Sequence, residues 1–295
     1  LIKSNKKEIR ALGARALGIL ASHPARDDDS VSNCSMTLRS MFANADGLVG
    51  SDANTAEGAL LALGYLNPRS VYYDRAFPTD VEYPLKYVVD VNGSSSLHTA
   101  ALEAFSQLWS ARLALPSPDG DYSIKKVVTS LSSEAKKGNE KAIAALGRLA
   151  VGLVEPETDG ADEKSEGRLA PGILGTIIEE LFALHEIKQV EVQFTVGEAL
   201  TAAMARWDSN AVKLTMDVEA RGTQFRADAR EDVVEAVLAK LLQNSKVTKP
   251  SLLKASGIWL FCAVQYCSHL TQVQSSLREI QASFMRLLSA EFRHC

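Results

Sequence analysis

Residues 9–20 alternate small residues with larger apolar ones: Ile9-Arg10-Ala11-Leu12-Gly13-Ala14-Arg15-Ala16-Leu17-Gly18-Ile19-Leu20. The positions four before and three after Leu17 lie on the same face of an α-helix as Leu17, since they are about one turn away. The run predicts a helix that meets its neighbours closely at small residues such as Ala16 and fills the adjoining space with Leu17.

The same pattern recurs along the chain. Six anchor positions align: Leu17, Leu63, Phe105, Leu146, Leu200 and Leu260. The residue four before each anchor is small or β-branched: Gly13, Ala59, Ala101, Ala142, Val196 and Ser256. The anchors are separated by 46, 42, 41, 54 and 60 residues. The first three intervals lie within or beside the period of about 40–47 residues that is typical of two-helix HEAT and armadillo units.

A second helix is predicted between successive anchor helices. The predicted partner helices are Ser32–Phe42, Pro84–Val91, Ser123–Lys136, Ile173–Leu184 and Arg226–Gln243. Beyond Pro250 the pattern predicts two more helices, Ser251–Tyr266 and Thr271–Glu291. Strand-like alternation is scarce, and its one β-leaning piece, Val71–Phe77, is predicted to lie in a loop. The fold class predicted is therefore all-α, an α-solenoid of HEAT/armadillo-type helical hairpins.

We expect one repeat array over residues 1–295 with flexible insertions near 67–83, 155–171 and 206–222. No hairpin of such an array buries both of its faces alone, so its stability comes from stacking between repeats. The chain begins at Leu1 and not at Met, and we expect it to be a fragment of a larger solenoid.

The charge distribution argues against two classes of partner. The net charge is −4, and residues 155–168 alone carry −4, which leaves the rest of the chain neutral. A neutral surface lacks the counterion release that supplies most of the affinity for nucleic acid, and it gives no polybasic attraction to anionic lipid. No apolar run approaches the length of a membrane span, and charged residues interrupt the first twenty positions. We expect a soluble intracellular protein without nucleic-acid binding or direct membrane insertion.

Metal and cofactor chemistry is not indicated. Of the four cysteines Cys34, Cys262, Cys267 and Cys295, the middle two lie in an apolar helical run with His269 close behind. Five residues along a helix turn by about 500°, which points the two sulfurs apart. We interpret them as reduced core thiols. No metal site and no cofactor are predicted.

Catalytic motifs are incomplete. After His185-Glu186 the position required for a second zinc-binding histidine is Gln189. The Ser-x-x-Lys pairs Ser133/Lys136 and Ser251/Lys254 lack the accompanying motifs of penicillin-binding enzymes. Walker, dinucleotide-binding and nucleophile-elbow sequences are also absent from the sequence. We predict a protein that is not an enzyme, without catalytic residues, and we leave its partner-binding residues open.

Polar residues recur seven positions before the anchor, at Arg10, His98, Asn139 and Gln193, although Ala56 and Leu253 occupy the same position elsewhere. This position faces inward near the start of a helix. Two interpretations stay open: side chains that hydrogen-bond the adjoining turn, and a ladder of ligand-facing groups.

The run from Ile9 to Leu20 resembles the second helix of a HEAT repeat, and Arg10 matches that repeat's arginine. More specific similarity lies in residues 57–65, in residues 192–200 and in the long run 254–284. Together these segments resemble the C-terminal half of the HEAT-repeat proteasome adaptor and scaffold family. The matching runs are repeat-packing motifs, so the resemblance assigns no partner-contact residues to this chain.

The resemblance implies a scaffold that binds the 26S proteasome in the cytoplasm and nucleus, stabilising or tethering the core and regulatory particles. Two alternatives remain open at this stage. One is another HEAT transport or assembly scaffold, such as a karyopherin-like carrier that binds a Ran-type GTPase. The other is an all-helical enzyme whose site lies in the inserted loops.

Overall fold

The computed structural model describes residues 1–21, 28–41, 50–66, 95–107, 124–152, 171–206, 228–268 and 270–291. The chain forms two compact units, Leu1–Ser133 and Glu134–Cys295. A single array over 1–295 stays a prediction. The predicted insertion near 67–83 and the segment Val71–Phe77 lie outside the described residues. So do the insertions near 155–171 and 206–222, except for Pro171 and Arg206 at their edges.

The first unit contains helices α1 (Lys7–Ala21), α2 (Asp28–Ser40), α3 (Ser51–Tyr65), α4 (Ser95–Gln107) and most of α5 (Ile124–Lys136). The helices that carry the first three anchors stack in order, α1 on α3 and α3 on α4. Helix α2 lies against α3 and α1 and so completes a hairpin. This succession of inner helices with a partner alongside is the predicted solenoid arrangement.

The second unit repeats the arrangement with helices α6 (Glu140–Gly152), α7 (Pro171–Ala183), α8 (Val190–Ala203), α9 (Glu231–Asn244), α10 (Pro250–Cys267) and α11 (Thr271–Glu291). The anchor helices again stack in order, α6 on α8 and α8 on α10. Helix α7 lies against α6 and α8, α9 lies against α10, and α11 lies against both α10 and α9. The all-α, α-solenoid prediction is confirmed.

The predicted helix ends agree with the structure to within a few residues wherever residues are described, and α11 matches at both ends. The segment Pro84–Val91 lies outside the described residues. The start of Arg226–Gln243 is wrong, because α9 begins only at Glu231. Ahead of it, the two-residue strand β2 (Asp228–Ala229) pairs antiparallel with β1 (Ala205–Arg206). A ladder this short leaves no alternating pattern that could be recognised in the sequence.

The column four residues before the anchors belongs to the core of each unit. All six of its members are buried: Gly13, Ala59, Ala101, Ala142, Val196 and Ser256. The anchors Leu63, Leu146, Leu200 and Leu260 are also buried. In α1, however, Leu17 is only half-buried and Ala16 is exposed, so the prediction that Ala16 lies at a helix crossing is wrong. The reason is geometric, since within the described residues α1 packs mainly against one helix, α3.

Stacked helices approach one another closely one residue after the anchor, where glycine stands three times. A Cβ added to Gly18 would lie 2.5 Å from the Cβ of Tyr65, and one added to Gly64 would lie 2.5 Å from the Cα of Ala104. At Gly147 the added atom would lie 2.8 Å from the Cα of Ala199. Each glycine therefore lets one inner helix touch the backbone region of the next, which explains the repeated Ala-Leu-Gly triplets as packing features.

Candidate protein-interaction surface

The two thiols that are close in the sequence are core residues in the structure. Cys262 and Cys267 are buried in α10 and unbridged. Burial, with the Glu198 carboxylate adding to it at Cys262, raises the pKa of each thiol to about 12. A thiol that stays protonated at neutral pH is a poor metal ligand and a poor nucleophile. No group of metal-binding side chains occurs within the described ranges, which do not include His269 or Cys295.

The Ser-Lys pairs have ordinary surroundings. Lys136 forms an ion pair with Glu180 at 2.7 Å, and Ser133 is exposed. Ser251 and Lys254 lie in the first turn of α10. Of the histidines, His98 lies on α4 and His185 lies in a 3₁₀ turn (Leu184–Glu186), whereas His23 and His294 are outside the described residues.

Three members of the polar column bond the turn at the start of their own helix. The Arg10 guanidinium donates to the Ser4 carbonyl at 2.6 Å. Asn139 Oδ1 accepts from the backbone N–H groups of Lys141 and Ala142 at 3.1 and 3.4 Å. Gln193 Nε2 donates to the carbonyls of Leu184 and Ile187 at 2.9 and 2.7 Å. The hydrogen-bonding interpretation is therefore confirmed at these three positions, where it closes the loop onto the helix.

A buried arginine that the column analysis missed joins two inner helices. Arg230, just before α9, is 4% exposed. Its Nη1 donates to the Ala150 carbonyl of α6 at 3.0 Å and to the Ala203 carbonyl of α8 at 3.3 Å. These carbonyls belong to the last turns of their helices, where the helix dipole favours a cation. Arg230 follows a segment without helical periodicity, so it does not align with the repeats.

A concave apolar surface lies where α8 and α10 begin. We call it the α8–α10 groove; its volume is about 310 Å³, and its apolar walls are formed by Ile187, Val190, Pro250, Ala255 and Ile258. Gln193 also lines it. The two hydrogen bonds of Nε2 fix the orientation of this side-chain amide, and Oε1 has no hydrogen-bond partner among the described residues. This acceptor is buried behind the groove wall.

A polar cluster of His185, Glu186 and Lys249 adjoins the groove, and its first two members line it. The Lys249 ammonium bonds the Glu186 carboxylate, and its Nζ lies 3.1 Å from His185 Nε2. The same Nε2 lies 3.2 Å from Glu186 Oε1, and Nδ1 lies 3.1 Å from the Phe182 carbonyl oxygen. The hydrogen bond from Lys249 lowers the pKa of Glu186. This cluster is internally neutralised.

The groove rim carries two more cations. Lys188 and Lys254 line it and are exposed. Neither has an ion-pair partner within the described part of the chain. Since Glu186 is paired with Lys249, these two ammonium groups give the groove a net positive charge.

An exposed aromatic pair extends the apolar surface beyond the groove. Phe194 follows Val190 by one turn of α8, and Phe261 follows Ile258 by about one turn of α10. The two rings meet edge to face with centroids 6.1 Å apart, yet they remain 38% and 49% exposed. Large apolar side chains that form a contiguous exposed patch are typical of protein-interaction sites. The sequence pattern of residues 192–200 predicts a packing motif and gives no sign of this surface. Val192 and Val196 form the packed face of α8, whereas Val190 and Phe194 are on the opposite face.

The stacked hairpins define the chain as a helical-repeat protein of the α-solenoid class. None of the described helices combines the length and apolar character that a membrane span requires. No protein-family model matches the sequence.

The chain is similar to parts of two curated proteins. The chain is 32% identical over 185 residues to the human proteasome adapter and scaffold protein ECM29, a match that covers 60% of this chain and 9% of the human protein. It is 34% identical over 116 residues to the proteasome component ECM29 of Saccharomyces cerevisiae, covering 38% of this chain and 6% of the yeast protein. The chain is therefore similar to one part of each of these proteins, and it spans less than a tenth of the length of either relative.

Three crystal structures of engineered proteins also resemble the chain. Their TM-scores are 0.44, 0.40 and 0.38, at 18%, 15% and 16% sequence identity. The first two alignments each cover 89% of this chain, with 93% and 95% of the engineered proteins, and the third covers 96% of this chain and 70% of its match.

Proposed function

We propose that the chain is part of a non-enzymatic adaptor that binds the 26S proteasome and stabilises or tethers its core and regulatory particles. The observation that carries this proposal is the similarity to the human proteasome adapter and scaffold protein, at 32% identity over 185 residues. The yeast match supports it independently, since that protein is also a proteasome component. A cytoplasmic and nuclear location belongs to the same proposal.

The structure is suited to this role in physical terms. In each unit the stacked hairpins bury a core of leucine and alanine and leave their outer faces to other proteins. The α8–α10 groove and the exposed Phe194–Phe261 pair give the second unit a surface of the kind that protein partners cover. The neutral charge outside residues 155–168 favours protein partners over nucleic acid.

Affinity capture tests the proposal. The natural protein that carries this sequence is tagged in its own cells and recovered in ATP-containing buffer at low salt, and the bound proteins are identified by mass spectrometry. We expect subunits of both the core and the regulatory particle in stoichiometric amounts. Recovery of neither particle, while an established proteasome subunit captures both from the same lysate, would contradict the proposal.

A further inference from the structure

We propose that the α8–α10 groove binds a partner peptide segment that carries large apolar side chains next to Asp or Glu. This inference deepens the proposed adaptor function and rests on it, because it assigns one protein-binding surface and the chemistry of what occupies it. Two features of the groove determine that chemistry: its apolar walls and its unneutralised lysines.

The apolar walls require apolar side chains in the occupant. A cavity of about 310 Å³ lined by residues such as Val190, Pro250 and Ile258 has room for two or three large side chains. The adjoining rings of Phe194 and Phe261 offer a second contact about one helical turn further along. An occupant with apolar residues at that spacing covers both.

The rim lysines require acidic groups beside those apolar residues. Lys188 and Lys254 flank the groove, and the nearby Glu186 carboxylate is already bound by Lys249. A basic segment would add to the positive charge, whereas Asp or Glu side chains would form ion pairs with both lysines. Charge complementarity therefore favours an acidic apolar segment over a basic one or a purely apolar one.

Selection of displayed peptides tests the proposal without any assumed partner. A phage library of random short peptides is panned on the purified whole chain, and the recovered peptides are synthesised and measured by fluorescence anisotropy. We expect the recovered sequences to be enriched in Leu, Ile or Phe together with Asp or Glu. Recovery of no binding peptide, or of peptides enriched in Lys and Arg, would overturn the proposal.

Two groove variants locate the binding site. Reversing Lys188→Glu and Lys254→Glu together changes only exposed side chains, and we expect the peptide affinity to fall about tenfold. Val190→Asp places a carboxylate in the apolar wall, and we expect a similar loss. Matched controls in the first unit are Lys6→Glu with Lys7→Glu, and Leu12→Asp, all at exposed positions. Unchanged affinity in both groove variants, or equal losses in the controls, would overturn the assignment of the groove.

The peptide measurement and the proteasome capture fail independently. If the chain captures proteasome but selects no acidic apolar peptide, the adaptor proposal holds and the groove proposal is wrong. If groove-dependent peptide binding is found but no proteasome is captured, the proposal for the groove holds and the proposal that the chain binds the proteasome is wrong.

Discussion

Arg10 Nη2 lies 2.9 Å from Glu57 Oε2, and this buried ion pair joins α1 to α3. The two side chains are only 5% and 7% exposed. Arg10 also bonds the Ser4 carbonyl, so a single guanidinium closes the start of its own helix and reaches the neighbouring helix in the stack. Charges this deeply buried depend on each other, because either one left alone would lack compensation.

Glu57→Leu is expected to destabilise the first unit by about 3–5 kcal/mol, because it leaves the Arg10 guanidinium buried without its carboxylate. The measurement is urea unfolding followed by circular dichroism. The double change Arg10→Met with Glu57→Leu serves as the matched control and should recover much of that loss, since no unpaired charge remains. A double variant that is as unstable as the sum of two single variants would contradict this explanation.

Alanine substitution at two glycines of the second unit should have opposite effects. Gly147→Ala places a Cβ 2.8 Å from the Cα of Ala199, and the resulting overpacking should cost about 1–3 kcal/mol. Gly175→Ala, in α7, meets nothing within 4 Å and should stabilise by up to about 1 kcal/mol through helix propensity. Thermal unfolding of both variants compares them directly. Effects of the same sign would show that α6 and α8 are not in close contact at Gly147.

Arg230→Met should destabilise the second unit by about 2–3 kcal/mol, because the carbonyls of Ala150 and Ala203 lose a charged donor. Lys246→Met is the comparison, since Lys246 pairs with Glu279 at 2.6 Å on the surface, where such a pair contributes about 0–1 kcal/mol. Denaturant midpoints of the two variants measure the difference. Similar midpoints would contradict a structural role for Arg230.

The stability of the second unit should fall as the pH rises above about 9. Burial raises the pKa of Cys262 and Cys267 from 9.0 to about 12, so between these values the unfolded chain loses protons that the folded chain keeps. For each thiol, the free energy of unfolding then falls by up to about 1.4 kcal/mol per pH unit. The stability that depends on the protonated thiols is fully present below pH 9 and is lost as the pH approaches 12.

The matched variant for this pH dependence replaces both cysteines by alanine. It should be less stable at neutral pH, because it loses buried volume, but its stability should decline less steeply above pH 9. Guanidinium unfolding at several pH values measures both slopes. Equal slopes for the two proteins would show that the thiols do not titrate as their burial requires.

The repeat register could be predicted because it depends on local residue size. Helical periodicity predicts that Leu63 and Gly64 are buried, and the structure places both in the core. The exposure of Ala16 could not be predicted, since it depends on which helices surround α1 and not on the pattern within it. The groove was also missed, because Val190 and Phe194 become a surface only when α10 lies beside α8.

Sedimentation with purified 26S proteasome tests the central claim most directly. The natural protein that carries this sequence is fluorescently labelled, mixed with proteasome in ATP, and its sedimentation is followed by its fluorescence. The account predicts that the label sediments with the proteasome, saturably, and is displaced by an excess of unlabelled protein. A label that sediments at the rate of the protein alone, at every proteasome concentration up to micromolar, would contradict it.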